Sequence, residues 1–361
     1  MKKIIPVTIF FLFINFAARA QSTQSENKVR SEIIYTNIHK YFYDSTAHLF
    51  KETNDPKANE KTFSYLWPLC ALIQCAEEME VIDPAVKKVG PVMNSILQYY
   101  DKAAPAPGYA SYVTRLGGGD RFYDDNQWIG IALMDAYQKK PEVNYLAWSK
   151  EIYQFMMTGY DTMSGGGLYW KEKDLTTKNT CSNGPGIVLA LQLYQSTGIK
   201  SYLDTALQLY QWVNKYLRAA NGVYWDNVKT TKGNKIDAAI YSYNTGIMIQ
   251  ANTKLYSITK EQKYFIEAKQ LAEGSYRHFF KEGVFKSSYW FNAVLLRGYE
   301  ELYALDKNPV YIKAMQQYAD NVWKQERDSN NLLGKKRVKH LLDQAGMLEI
   351  YLRLTKLNIG H

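Results

Sequence analysis

Gly186-Ile-Val-Leu-Ala-Leu-Gln-Leu-Tyr-Gln-Ser-Thr-Gly-Ile-Lys-Ser-Tyr-Leu-Asp-Thr-Ala-Leu-Gln-Leu-Tyr-Gln-Trp-Val213 holds two helices of different character around one short turn. The first, Gly186 to Tyr194, is apolar on nearly every side, the pattern of a buried helix. The second keeps its apolar residues at Leu203, Ala206, Leu207, Tyr210 and Val213. That spacing is one stripe of a half-exposed helix.

The pair recurs along the chain, and repetition at this length signals stacked supersecondary units. A turn, a Tyr and an apolar residue open the half-exposed helix at Tyr145-Leu146, Tyr202-Leu203, Tyr264-Phe265 and Tyr311-Ile312. Evenly apolar helices precede them at Trp128 to Tyr137, Gly186 to Tyr194, Gly246 to Tyr256 and Asn292 to Leu305. Phe63 to Cys75 and Gln344 to Leu354 belong to the same class. Val29–Leu49 and Pro84–Tyr100 supply the first two half-exposed helices. Sustained alternation of β-branched residues is scarce, so few strands are expected. Six such pairs predict an all-α (α/α)6 toroid, six inner helices inside six outer ones. An open α-solenoid stacks helix pairs in the same way.

Connections from inner to outer helix are short, as at Asp83-Pro84, Lys139 to Glu142 and Ser196 to Lys200. Those from outer to inner are long: Asp101–Tyr123, Gly159–Ser182 and Arg218–Tyr243. One face of the ring therefore collects long loops, and function concentrates on loops carried by a rigid scaffold.

The start of the chain reads Met-Lys-Lys, then an apolar run to Ala17, then Ala18-Arg19-Ala20. A basic start, a short apolar run and small residues at −3 and −1 predict a secretory signal peptide over residues 1–20. An exported protein follows, periplasmic or secreted from a bacterium, with one catalytic domain over 21–361 and no membrane span. The net charge of +9 is spread thinly, with Lys335-Lys336-Arg337 the one dense cluster. Nucleic acid is not an expected partner, and a monomer is expected. The three cysteines make no disulfide framework and read as small buried hydrophobes. The five histidines show no ligand spacing, so neither metal nor cofactor is expected.

The candidate chemistry lies in Arg121-Phe-Tyr-Asp-Asp-Asn-Gln-Trp128, at the mouth of an inner helix. Asp124 and Asp125 suit helix capping, but two acids exceed what a cap needs. Repulsion between them raises the pKa of one, while the helix N-terminus favours charge on the other. An ionised nucleophile beside a protonated acid is the equipment of a retaining glycosidase, whose carboxyls stand about 5–5.5 Å apart. Neighbours in a regular helix diverge by about 100°, so convergence on one bond predicts that the pair sits in the non-helical lead-in. The same face offers Tyr65, Trp67, Asn126, Trp128, Trp170, Asn183, Asp226, Tyr243, Asn244 and Trp290 as candidate substrate contacts. Asn183 and Asn244 serve equally as N-caps. Gly165–Gly167 reads as a flexible turn.

Tyr123-Asp-Asp-Asn-Gln-Trp128, Gly165-Gly-Gly-Leu-Tyr-Trp170, Lys178-Asn-Thr-Cys-Ser-Asn-Gly-Pro185 and Tyr241-Ser-Tyr-Asn-Thr-Gly246 resemble, in this order, the motifs of glycoside hydrolase family 76. The resemblance extends over about residues 30–355. It implies the (α/α)6 fold and endo-acting α-1,6-mannanase activity with retention on α-mannan or manno-oligosaccharides. It also implies Asp124 as nucleophile, Asp125 as acid/base, and Asn183, Asp226 and Asn244 on the cleft face. Cys181 departs from the apolar residue usual there, and Lys281 to Tyr289 is less typical. Two other readings remain open: another (α/α)6 glycosidase such as an unsaturated glucuronyl hydrolase, and a mannan-binding protein without catalysis.

Overall fold

A computed structural model describes residues 26–357; the candidate leader over 1–20 lies outside the described residues. Twelve α-helices alternate between two concentric layers. The inner helices are α2 (Leu66–Ile82), α4 (Tyr123–Lys139), α6 (Thr180–Thr197), α8 (Ser242–Thr259), α10 (Tyr289–Asp306) and α12 (Leu341–Leu357). The outer helices are α1 (residues 26–41), α3 (Val89–Ile96), α5 (Val143–Met157), α7 (Lys200–Tyr216), α9 (Gln262–Phe279) and α11 (Val310–Gln325). Each inner helix packs on the next, and α12 packs on α2, which closes the ring. The outer layer closes too: Asn27 on α1 donates to Gln316 on α11 at 2.8 Å, and Lys88 just before α3 donates to the Tyr35 hydroxyl of α1 at 3.0 Å. The toroid is confirmed, and the open solenoid is excluded.

Small residues let the inner helices approach closely. A Cβ on Gly246 of α8 would lie 2.6 Å from the Leu295 Cα of α10, and one on Gly346 of α12 would lie 2.5 Å from the Trp290 backbone nitrogen. Neither contact can yield without moving a helix, because the obstructing atoms are main chain.

The outer helices depart from expectation at the first two repeats. The first ends at residue 41, where Asp44 accepts the N–H groups of Thr46 and Ala47, each at 3.0 Å, and turns the chain into a hairpin pairing Tyr43 with Phe50. The second is only eight residues long. On the long-loop face, strands Tyr169–Lys171, Asp174–Asn179, Trp225–Lys229 and Lys235–Ile240 form an antiparallel sheet. Its strands carry polar residues on both faces, so their alternation is weak in the sequence.

A polar clamp recurs between the layers. Asn126, Asn183, Thr245, Asn292 and Gln344 each stand fourth in an inner helix. Asn126 accepts from the Tyr109 N–H at 2.7 Å and donates to the Tyr109 carbonyl at 3.0 Å. Asn183 does the same with Leu168, at 2.7 and 2.9 Å, and Gln344 with Leu333, at 2.9 and 2.8 Å. These side chains satisfy backbone groups of the hairpins that follow the outer helices, groups that burial would otherwise leave unpaired.

Candidate active site

The inner helices run parallel, with their N-termini on the long-loop face. There a cavity of about 590 Å³ is lined by Glu52, Tyr65, Trp67, Pro68, Ser111, Asp120, Phe122, Asp124, Asp125, Trp170 and Leu342. Both aspartates belong to its floor, with side chains 6% and 8% exposed.

The N-cap of α4 is Phe122, and neither aspartate caps the helix. They occupy the first helical turn rather than a non-helical lead-in, which corrects the sequence expectation. Both still face one cleft because helical side chains tilt toward the N-terminus, and here the helix mouth opens into the cavity. Asp124 Oδ2 accepts a hydrogen bond from the Trp170 indole at 3.2 Å, while Oδ1 is buried without a partner. Burial raises Asp124 to about 6; the neighbouring Cys181 thiol, the Trp170 indole and the backbone N–H groups at Asp125 and Asp124 restrain the rise. Burial raises Asp125 further, and the charge of Asp124 adds to it. Burial thus holds both carboxyls above their ordinary range, and their mutual repulsion keeps the two from ionising together.

The aromatic candidates divide by depth. Tyr65, Trp67 and Trp170 line the cavity. Trp67 lies nearly parallel to Phe291 at 6.0 Å, and Phe291 stacks on Tyr243 at 4.1 Å, an aromatic ladder that starts at the cavity lining and leads away from it. Trp290 is buried beneath it, with its indole nitrogen unpartnered. Trp128 is a correction: it sits a turn below the floor, edge-on to Trp290 at 5.3 Å, with the Arg297 guanidinium 5.4 Å from its ring centre. Its role is packing.

Asn126 and Asn183 are corrections of the same kind. Each is fully buried and spends its amide on the hairpin backbone. Neither is the N-cap; Phe122 and Asn179 hold those places. Asp226 is part-buried and raised by burial, its Oδ2 accepting from Asn227 at 2.8 Å. Asn244 lies beside Asp226, and neither atom of its amide makes a well-formed hydrogen bond. Cys70, Cys75 and Cys181 are buried free thiols.

The Gly165–Gly167 run is a fixed bend. All three glycines have positive φ, and a Cβ on Gly167 would meet the Trp212 ring at 2.6 Å. The buried Lys178 ammonium donates to the carbonyls of Met163 at 2.9 Å and Gly166 at 2.8 Å, fixing the bend from below. Glu52, Asp120 and Phe122 were not foreseen in the cleft. Glu52 reaches it from the loop after α1, accepts the Tyr65 N–H at 3.1 Å and is raised by burial. Among the described residues, no group of three or more His, Cys, Asp or Glu side chains is placed to hold a metal, and no helix is long and apolar enough to cross a membrane.

Comparison with known proteins gives a consistent picture. Mannan endo-1,6-alpha-mannosidase DCW1 of Saccharomyces cerevisiae is 29% identical over 178 residues, which is 45% of this chain and 39% of the relative. The aligned stretch thus spans well under half the length of that curated protein. A family 76 glycoside hydrolase (mannosidase) of Bacteroides thetaiotaomicron superposes with a TM-score of 0.84 at 26% identity, covering 92% of this chain and 98% of the other. An inactive double variant of an alpha-1,6-mannanase of Salegentibacter sp., seen with alpha-1,6-mannotriose, has the same fold at a TM-score of 0.79 and 22% identity, covering 91% and 98%. The model of Glycosyl hydrolase family 76 matches residues 26–344, nearly the whole toroid and every motif around the cleft, and the chain belongs to that family.

Proposed function

We propose that this protein hydrolyses α-1,6-mannosidic bonds within mannan, acting internally and with retention, after export from the cell. The observation that carries this reading is the pair of adjacent buried carboxylates on the floor of an aromatic-walled cleft. Asp124 is the nucleophile, its carboxylate attacking the anomeric carbon. Asp125, still protonated, gives its proton to the departing glycosidic oxygen. Water then attacks the glycosyl ester on Asp124 while Asp125, now a carboxylate, takes the proton, so the anomeric configuration is restored.

Aromatic walls suit the C–H faces of neutral pyranose rings, and Tyr65, Trp67 and Trp170 supply them beside the carboxyls. Asp226, part-buried beyond the cavity lining, offers an acceptor for a sugar hydroxyl, with the fully buried Asn244 beside it. The Salegentibacter relative is inactive when two consecutive aspartates are replaced together, which supports a need for the aspartate pair here. The signal-peptide pattern of residues 1–20 supports export.

Linear α-1,6-mannan and an oligosaccharide ending in an unsaturated uronide are the discriminating substrates. Mannan is expected to yield oligosaccharides of falling length from internal cuts, with the uronide untouched. Cleavage of the uronide alone would transfer the site to the glucuronyl hydrolases. Tight mannan binding without any product would make the protein a binding module.

A further inference from the structure

We propose that Trp170 is a positioning residue for Asp124, fixing the orientation of the carboxylate that attacks. This rests on the assignment of Asp124 as nucleophile. The Trp170 indole donates to Oδ2 at 3.2 Å, while Oδ1 is buried. A hydrogen bond to a carboxylate is directional and stronger than one between neutral groups, so it fixes the carboxylate plane as well as one lone pair.

The indole is held by the same segment that carries the aspartates. Lys171 bridges back to Phe122, the N-cap of α4, through a backbone pairing. The Glu172 N–H donates to the Arg121 carbonyl at 3.0 Å, and the Arg121 Nε donates to Glu172 Oε2 at 2.9 Å. Arg121 is itself buried, with its guanidinium on the carbonyls of Ala103 at 3.1 Å and Ala106 at 2.9 Å. On the other side, Leu168 is locked by Asn183. The Phe122 ring lies 4.9 Å from that of Trp170. Trp170 is the most exposed aromatic of the cleft wall at 36%, yet its polar end is turned inward onto Asp124. An aromatic placed only to stack on sugar would not need that bond.

The bond acts at a definite stage. When an Asp124 oxygen bonds to the anomeric carbon, the carboxylate becomes an ester and loses its charge. When water cleaves that ester, charge returns to the carboxylate and the indole N–H stabilises it. Trp170 therefore favours release of the sugar from the enzyme and keeps the free carboxylate ionised. The titratable groups facing Asp124 are Asp125 on its own helix, Cys70 on α2, Cys181 on α6 and Tyr243 on α8, with Asp226 beyond Cys181.

The test uses Trp170→Phe in the full chain, with Trp67→Phe as the control: a cleft aromatic without a bond to Asp124. The Asp124 carboxyl carbon is titrated by NMR in protein labelled at aspartate, its signal assigned by its loss in Asp124→Asn. In Trp170→Phe its midpoint is expected to rise by about one pH unit, as loss of one hydrogen bond to a charged group requires, and to stay put in Trp67→Phe. On mannan, the acid limb of the rate profile moves up with it, and kcat falls about 10-fold to 100-fold with KM lowered or unchanged as the glycosyl-enzyme accumulates. An Asp124 midpoint unchanged in Trp170→Phe overturns the proposal. If Trp170→Phe does not fold, 3-benzothienylalanine at position 170 keeps the bicyclic ring without the N–H, and the same two outcomes decide. The titration needs no turnover, so a wild-type enzyme inert on mannan would sink the proposed function while leaving this inference separately decided.

Discussion

Two sets of buried carboxylates occupy opposite ends of the same helical barrel. At the N-terminal ends of the inner helices, Asp124 and Asp125 share a cleft with aromatic rings, and the groups hydrogen bonded to Asp124 among the described residues are neutral. Toward the C-terminal ends, Glu349 takes Arg297 at 2.6 Å and Arg353 at 2.9 Å, and Glu300 takes Arg353 at 2.6 Å and Lys356 at 3.0 Å. Burial pushes Glu349 and Glu300 up as well, but these cations outweigh it and hold both below the ordinary range. Even there compensation is uneven, since Glu78 is raised by burial despite Arg353 and Lys356. The desolvation is alike at both ends; the partners decide the outcome. Carboxyls left without cations keep a proton available for chemistry, whereas carboxyls given cations become braces between α2, α10 and α12.

The largest effect that distinguishes the two ends is kinetic. Asp124→Asn or Asp125→Asn is expected to lower the rate on linear α-1,6-mannan by about 1,000-fold to 10,000-fold without loss of the fold. Reducing-end release at matched far-ultraviolet dichroism measures it, and near-wild-type turnover in either variant would break the contrast. Arg353→Met at the other end removes one cation from each of Glu78, Glu300 and Glu349, leaving them Lys356 and Arg297 alone. It is expected to cost about 3–5 kcal/mol in urea unfolding, as breaking a buried ion pair does, while surviving folded enzyme keeps its activity.

A smaller loss is expected at the clamp. Asn183→Ala abandons the N–H of Leu168 and leaves its carbonyl only the Ser182 hydroxyl at 3.3 Å, and about 2 kcal/mol of unfolding free energy should go with the change. The smallest effect has the opposite sign. The folded pKa of Asp125 lies above its ordinary value of 3.8, so its contribution to stability is complete below that pH and is lost as pH rises through the folded value. Asp125→Asn should therefore stabilise the protein at pH 8 by about 1–2 kcal/mol, with the gain gone in acid. Glu349, depressed below 4.5, runs the other way: its stabilisation is present above that pH and is lost as pH falls through the folded value. Thermal melts of Asp125→Asn and Glu349→Gln from pH 4 to 8 should diverge accordingly.

The ring was legible because paired helices of unlike polarity recur, and that alternation survives in any single copy, such as residues 186–213. The aspartate pair was legible because two acids stand where the repeat puts a helix mouth. Asn126 and Asn183 were misassigned for a geometric reason. They follow the cleft-facing positions by a few residues, and at about 100° per residue that turns them from the cleft to the hairpins of the outer layer. No residue pattern announces those hairpins, whose pairings are as short as Tyr160 with Leu168. Glu52 had no signal at all, being one polar residue in a polar loop until the fold brings that loop across the cleft. The basal ion network was hidden for a related reason: Arg297, Glu349 and Arg353 interrupt helices read as evenly apolar, Glu78 lies just past another, and only the closed ring shows that they meet.

The most direct test of the carboxylate pair as a retaining catalyst is the anomeric form of the first product. Time-resolved proton NMR of linear α-1,6-mannan with fresh enzyme should show α-configured reducing ends before any β signal, and none with Asp124→Asn or Asp125→Asn. A β-configured first product, or an α product that persists in either variant, would contradict the account.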